Sequence, residues 1–206
     1  MPSDCWRLKL PPRRAAHNHS IVARVREAGG RSLILIADYF PMADAPASRA
    51  TFRTRIASGE DVSRMIPVVN AAFAVETFLD GSRTDDDHIA EMMETGEFLL
   101  AEDSAGRILA CVYVENRGER GYFGMLAVDP SAQGRGLGRD MVEAAENHCR
   151  RQGCGFMDIT VLSLRVDLPP FYRKLGYVET ATKGFETSRR LQDGLECHCI
   201  VMSKAL

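Results

Sequence analysis

Apolar residues recur along the chain with two spacings, and the change from one to the other predicts its strands and helices. Residues 51–56 alternate in polarity and predict a strand, whereas Val62 to Phe73 carry apolar side chains at helical spacing. Asp86 or Asp87 then provides an N-cap for a second helix. Turn-forming segments separate three further strands, which form a predicted meander over residues 98–102, 108–115 and 122–128.

The second half of the chain continues the alternation of helices and strands. A helix begins at Leu137, and Gly153 is placed to terminate it. The near-continuous apolar run over residues 156–162 is typical of a buried central strand. A short helix with prolines at its start follows, and residues 177–182 and 196–202 predict a closing pair of strands. The whole pattern predicts a mixed α/β domain.

The first 50 residues differ from the rest of the chain. They are rich in arginine and show no sustained periodicity outside residues 32–40, so we expect residues 1–50 to be an extension and residues 51–206 to be the domain. Transit peptides and nucleic-acid-binding arms are also arginine-rich. Asp4 and Glu27 interrupt the basic residues here, which favours a poorly ordered leader.

Composition narrows the classes of function. The 206 residues suffice for one domain with a substantial core. The formal net charge of -2 lacks the positive field of a nucleic-acid-binding protein. No apolar run approaches the roughly 18 residues of a membrane helix. We therefore expect neither a nucleic acid nor a membrane as partner.

The six cysteines are expected to be reduced thiols, because no secretory signal precedes them. Cys197, His198 and Cys199 raise the alternative of a zinc site. Alternation along a strand, however, places the two sulfurs on one face and the imidazole on the other, and no second ligand pair completes four ligands. The sequence favours a strand here and implies no metal.

A glycine-rich turn at residues 133–139 links the last strand of the meander to the helix that starts at Leu137. Glycines let the backbone approach a ligand, and the first N–H groups of a helix lack internal partners. The helix dipole and the positive charges of Arg135 and Arg139 favour a phosphate or pyrophosphate there.

Two familiar phosphate-binding motifs fit this turn poorly. A P-loop requires Lys and Ser or Thr after its last glycine, but Arg139 and Asp140 follow Gly138. The dinucleotide fingerprint would need a glycine at the position of Arg139. An ordinary glycine-rich turn is the alternative to a phosphate site.

Two segments resemble the GNAT superfamily of N-acetyltransferases. Gln133, Gly136 and Gly138 match the pattern Gln/Arg-x-x-Gly-x-Gly/Ala of its acetyl-CoA pyrophosphate loop. Residues 171–177 are similar to the tyrosine-containing helix that follows the buried strand in the family. The resemblance spans residues 51–206. It implies a central, mostly antiparallel sheet flanked by helices, with acetyl-CoA as co-substrate.

The resemblance also implies which residues hold acetyl-CoA. Backbone groups of the strand before the turn face the pantetheine arm, amides of the turn hold the pyrophosphate, and one residue follows the buried strand where the family often has Asn. Arg135 and Arg139 are equally well explained as solvated charges. The implied residues are Leu126, Ala127, Val128, Gln133, Gly134, Arg135, Gly136, Leu137, Gly138, Arg139 and Ser163.

Tyr172 is the candidate catalytic acid, because it matches the tyrosine of the family's helix. Acetyl transfer from a thioester to an amine expels a thiolate, and an acid near the sulfur lowers that barrier. A phenol with a pKa of about 10 is protonated at neutral pH and can donate to a thiolate of pKa about 8.5. Tyrosine is more often a core residue, but Phe171 and Leu175 already supply the apolar face of this helix.

The base that takes the proton of the amine stays open, because Tyr122 stands where some members of the family carry a carboxylate. Residues 85–87 would attract a cationic amine, although an acidic helix start explains them equally well. Two arginines suit an acceptor with a carboxylate, with a solvated surface position as the alternative. The substrate candidates are Glu76, Glu115 and His198 as bases and Arg83 and Arg165 as anion ligands.

We therefore expect a cytoplasmic acyltransferase that moves an acetyl group from acetyl-CoA to the primary amine of a small molecule, by direct transfer in a ternary complex. Two alternatives are a CoA-binding sensor without turnover and an acetyltransferase of a protein N-terminus or aminoacyl-tRNA. The presence of Tyr172 argues against the sensor, and the weak net charge argues against tRNA. The sequence does not identify the acceptor. It does not fix the oligomeric state either, and a homodimer is one possibility.

Overall fold

The computed structural model describes residues 52–185 and 189–206, so the predicted N-terminal extension lies outside the described residues. No helix in these two ranges is long and apolar enough to cross a membrane. The helices and strands follow one another as β1 (Arg53–Ile56), α1 (Val62–Phe73), α2 (Asp86–Thr95), β2 (Glu97–Glu102), β3 (Ile108–Arg117), β4 (Arg120–Val128), α3 (Leu137–Arg151), β5 (Phe156–Leu162), α4 (Leu168–Lys174), β6 (Val178–Gly184) and β7 (His198–Ala205).

The strands form one sheet in the order β1-β2-β3-β4-β5-β7-β6. Every neighbouring pair is antiparallel except β4 and β5, which run parallel. Helix α3 connects these two strands, as a parallel pair requires a crossover. The predicted mixed fold with a mostly antiparallel sheet is confirmed.

Helices cover both faces of the sheet, which explains why β2 and β3 are buried along almost their whole length. Alternate side chains of β2 enter opposite cores. The core beside α1 and α2 includes Met65, Val69, Ile89, Phe98 and Leu100, and the core beside α3 and α4 includes Leu99, Val112, Phe123, Met141 and Tyr177.

Strands β4 and β5 separate soon after they pair. Their ladder holds only three residue pairs, the last of which joins Tyr122 to Asp158. Beyond it, β4 bulges, because Met125 and Leu126 together face the single residue Val112 of β3. Met125 has a φ of 49°, a left-handed conformation that costs on the order of 1–3 kcal/mol in a residue other than glycine. The bulge bends β4 away from β5 and leaves an open wedge between them.

Three sequence predictions differ from the structure in detail. Asp85, rather than Asp86 or Asp87, caps α2 by accepting a hydrogen bond from the His88 amide. The closing strands lie one or more residues later than predicted, because β6 is exposed throughout and has no apolar face to mark it. Strand β5 is central but alternates between buried and exposed residues, because Thr160 faces the wedge.

Candidate active site

A cavity of about 750 Å³ fills the wedge between β4 and β5. We call it the central cavity. The glycine-rich turn before α3 forms one end, which we call the glycine end, and Tyr172 of α4 lies in the wall. The opposite end is lined by Glu76, Arg83, Arg165 and Arg189, and we call these four residues the arginine end. Both segments that resembled a known family thus border one space.

The glycine end has the form of an anion site. Gly134 and Gly136 have φ values of 75° and 85°, and a Cβ at either position would meet no atom within 4 Å. No side chain caps α3, whose first internal hydrogen bond runs from the Asp140 amide to the Gly136 carbonyl. The preceding amides therefore face open space at the positive end of a helix dipole. These residues fit a pyrophosphate.

The side chain of Gln133 forms a hydrogen bond inside the protein rather than pointing to a ligand. Its side-chain amide donates a hydrogen bond of 3.0 Å to the carbonyl of Val128, which ties the turn to the end of β4. A glutamine here therefore has a local structural use that requires no ligand.

Most of the predicted CoA-binding residues line the central cavity, and three do not. Ala127 is fully buried on the other face of β4, although the predicted contact was through its backbone. Arg135 lines a separate small pocket beside Phe52 and Leu109. Ser163 accepts a hydrogen bond from the His198 amide and ties β5 to β7. The predicted residues that do line the cavity are Leu126, Val128, Gln133, Gly134, Gly136, Leu137, Gly138 and Arg139.

Tyr172 is held rigidly at the cavity wall. Its ring packs against Phe123, Phe171 and Tyr177 with centroid distances of 5.9, 5.0 and 5.9 Å. Burial raises the pKa of Tyr172 well above its usual range, and the charge of Arg165 opposes this shift. The hydroxyl therefore keeps its proton at any physiological pH.

The arginine end places three guanidinium groups around one buried carboxylate. Glu76 is 4% exposed in its side chain and lies 3.5 Å from Arg165 and 3.3 Å from Arg189. Arg83 stacks over the Phe73 ring at 5.0 Å. Its Nε atom is buried and has no hydrogen-bond partner among the described residues. These arginines are therefore not the solvated surface residues of the alternative interpretation.

Two loops dock together to build this end. The bridge between Leu79 and Leu191 and the hydrogen bond from the Asp80 amide to the Arg190 carbonyl join the loop after α1 to the loop before β7. Arg189 reinforces the contact by donating to the carbonyls of Leu79, Asp80 and Gly81. Sequence analysis missed Arg189, since it lies in a loop without periodicity and 113 residues from its partner Glu76.

The three candidate bases fall in different places. Glu76 lines the central cavity, but both of its oxygens are taken by arginines. Glu115 lies outside the lining and pairs with Arg117 at 2.7 Å. His198 also lies outside it, at the start of β7. Tyr122 does line the cavity, and burial raises its pKa, so it is not a base at neutral pH.

The cysteines of the described residues are free thiols. Burial raises the pKa of Cys111 and of Cys149 to about 12. Cys199 does line the cavity, but burial raises its pKa as well. Within the ranges that the structure describes, no group of three or more His, Cys, Asp or Glu side chains could hold a metal ion.

Comparison with known proteins places this geometry in a family. The profile of the GNAT acetyltransferase domain matches residues 94–179, which include β4, the glycine end and α4. A phosphinothricin acetyltransferase of Sinorhizobium meliloti, solved with acetyl-CoA, has the same fold with a TM-score of 0.61 at 15% identity, over 76% of this chain and 89% of that one.

Two curated relatives extend the match in sequence. A rice protein (Oryza sativa subsp. japonica) named "Probable glucosamine 6-phosphate N-acetyltransferase 2" is 32% identical over 55% of this chain and 68% of its own length. The mycothiol acetyltransferase of Mycolicibacterium gilvum is 32% identical over 79% of this chain and 59% of its own length. The chain thus spans 52% to 68% of the length of such relatives.

Proposed function

The chain belongs to the GNAT acetyltransferase family, and on that premise we propose that it transfers an acetyl group from acetyl-CoA to the primary amine of a small molecule. The observation that carries the proposal is the shared cavity, in which an anion-binding helix start and a buried, protonated tyrosine border the same space. Residues 51–206 form the proposed catalytic domain, in the cytoplasm.

The glycine end is the proposed site of the CoA pyrophosphate. Its open amides, the helix dipole and Arg139 favour a doubly charged group, and the glycines let that group approach the backbone. The pantetheine arm then extends along β4 past Val128 and Leu126, where the wedge has left this edge of β4 without a neighbouring strand. This arrangement directs the thioester toward Tyr172.

Acetyl-CoA supplies the activated acetyl group as a thioester. The nitrogen of the amine bonds to the carbonyl carbon, the carbon–sulfur bond breaks, and Tyr172 gives its hydroxyl proton to the departing sulfur. The proton lost by the amine restores the tyrosine. The raised pKa of Tyr172 keeps the hydroxyl protonated until negative charge builds on the sulfur.

Direct transfer in a ternary complex is the simplest route, because the cavity offers no activated nucleophile. A covalent acyl-enzyme would need a thiolate, and burial raises the pKa of Cys199, the one cysteine of the described residues that lines the cavity. The relatives are named for glucosamine 6-phosphate and for mycothiol, which supports a small molecule as acceptor.

Calorimetric titration with acetyl-CoA and desulfo-CoA, together with a thiol-release assay on an amine panel that includes glucosamine 6-phosphate, tests the proposal. We expect binding of both nucleotides, and a kcat for Tyr172→Phe that falls by about 10²- to 10⁴-fold, because the departing thiolate loses its proton donor. Nucleotide binding should persist in this variant.

Tyr113→Phe is the matched control, since Tyr113 is buried on the α1 and α2 side and its hydroxyl bonds to Thr95. Its kcat should equal that of the wild type. Absence of nucleotide binding would contradict the assignment of the glycine end. Binding without turnover of any amine would instead favour a CoA sensor.

A further inference from the structure

The described residues of the arginine end give ion-pair partners to two of its three guanidinium groups. Arg165 and Arg189 each pair with Glu76, and Arg165 also pairs with Asp167 at 2.9 Å, from a side chain that is 61% exposed. Because arginine stays protonated in proteins, the charge of Arg83 faces this end of the cavity without an ion pair to a described residue.

Arg83 is the arginine that lacks a hydrogen-bonded partner among the described residues. Arg165 donates to Glu76 and Asp167, and Arg189 donates to Glu76 and to three backbone carbonyls. Arg83 contacts the face of Phe73, and no hydrogen bond links it to the described residues. Its guanidinium has five N–H donors in a planar fork, the arrangement that matches a carboxylate or phosphate.

Such an arrangement is costly unless a ligand completes it. A buried guanidinium N–H without a hydrogen bond loses its hydration, and a buried polar atom without a partner is rare in folded proteins. Arg83 packs over the Phe73 ring, feels the charges of Glu76 and Arg189 and lines the cavity, so it is positioned for a group that enters from the cavity.

We propose that the acceptor is an amine that also carries a carboxylate or a phosphate, and that Arg83 determines this specificity by binding the anion. The inference rests on the proposed function. Arg165 and Arg189 contribute the surrounding positive potential, while Glu76 holds them in place. The same positive charge disfavours the protonated form of the incoming amine. The amine therefore becomes a neutral nucleophile more readily at a site where no general base is evident.

Calorimetry with two matched pairs of amines tests this without turnover. Phosphoethanolamine is paired with ethanolamine, and β-alanine with propylamine, each titrated into the complex with desulfo-CoA and into the free protein. We expect the anionic member of at least one pair to bind about 10- to 100-fold more tightly than the neutral member. The pair that shows the larger ratio identifies phosphate or carboxylate as the anion.

Arg83→Gln should reduce that ratio to about one, because glutamine provides neither the charge nor the fork. Arg83→Lys keeps the charge and should give an intermediate ratio. Arg190→Gln is the matched control, since Arg190 is 68% exposed and pairs with Asp193, and it should keep the full preference. A thermal melt of each variant establishes that it is folded.

Equal binding of both members in the wild type, no measurable binding of either anionic amine, or an undiminished ratio in folded Arg83→Gln would each overturn the inference. Desulfo-CoA binding in the same titrations separates the two proposals. If desulfo-CoA binds while the anionic preference is absent, the acceptor class is wrong and the proposed function stands. If desulfo-CoA does not bind, the proposed function itself fails.

Discussion

Two clusters in this molecule are built from the same residue types, arginines and carboxylates. They differ in how completely the arginines are hydrogen-bonded to other residues. The edge cluster, formed by Arg55, Arg64, Asp61 and Glu102, joins β1 and β2 to the start of α1. Arg55 donates to both carboxylates over 2.7 to 3.0 Å, and Arg64 also reaches both. The arginine end, in contrast, has three guanidiniums for Glu76 and leaves Arg83 without a described hydrogen bond.

The difference separates a structural role from a binding role. In the edge cluster Arg55 spans both carboxylates, and each nearly buried carboxylate has more than one donor. Arg55 and Arg64 each line another cavity, but both of their guanidinium groups are already paired with carboxylates. At the arginine end the surplus charge points into the central cavity. A cluster whose buried groups are all paired stabilises the fold, whereas one that leaves a buried donor unpaired is completed by a ligand.

Glu76→Gln should give the largest change in stability. The variant removes the carboxylate that Arg165 and Arg189 share, and removal of one partner from a buried ion pair costs about 3 kcal/mol or more. Urea unfolding monitored by circular dichroism measures the loss. The loss should shrink in the presence of millimolar phosphate, because an added anion replaces the missing carboxylate. A variant as stable as the wild type would show that the arginines do not depend on Glu76.

Asp61→Asn should cost about 2 kcal/mol, because Asp61 accepts charged hydrogen bonds from Arg55 and Arg64 that a neutral amide replaces poorly. In contrast to Glu76→Gln, phosphate should restore none of this stability. Chemical unfolding at neutral pH with and without phosphate makes the comparison.

The stability difference at Asp61 should also depend on pH. The hydrogen bond from Arg55 holds the pKa of Asp61 well below its usual range, although burial opposes the shift. A carboxylate whose pKa is lower in the folded state contributes its full stability above its unfolded pKa of about 3.9 and loses it as pH falls further. Asp61→Asn should therefore approach the wild type in acid, and a constant difference from pH 6 to pH 2.5 would contradict this.

Local features of the fold were predictable from the sequence. The meander, the helix that begins at Leu137 and the glycine turn are each encoded within a few neighbouring residues, by periodicity or by turn chemistry. The bulge at Met125 was not predictable, because an apolar residue with a positive φ looks like any other residue of a strand. It is nevertheless the bulge that opens the cavity.

The two ends of the central cavity also differed in how far they could be predicted from the sequence. The glycine end is continuous in sequence, and its residues were identified together. The arginine end combines Glu76 and Arg83 with Arg165 and Arg189, and the pairing of Glu76 with Arg165 and with Arg189 spans 89 and 113 residues. Arg83 and Arg165 were considered singly, but their shared charge imbalance depends on loops that meet only in the folded chain. A sequence without periodicity gives no signal of such a meeting.

The smallest expected effect gives the most direct test of this comparison. An Arg→Met substitution should change the free energy of unfolding in opposite directions at the two clusters. Arg83→Met removes a partly buried charge whose Nε lacks a hydrogen bond to the described residues, and it leaves a flexible apolar side chain against Phe73, so the free energy of unfolding should rise by about 1 kcal/mol. Arg55→Met, the matched control, should lower it by about 2 kcal/mol, because Asp61 and Glu102 lose their shared donor. Chemical unfolding in buffer free of phosphate and carboxylate measures both. If Arg83→Met is instead destabilised as Arg55→Met is, Arg83 is a structural residue, and the distinction between the two clusters fails.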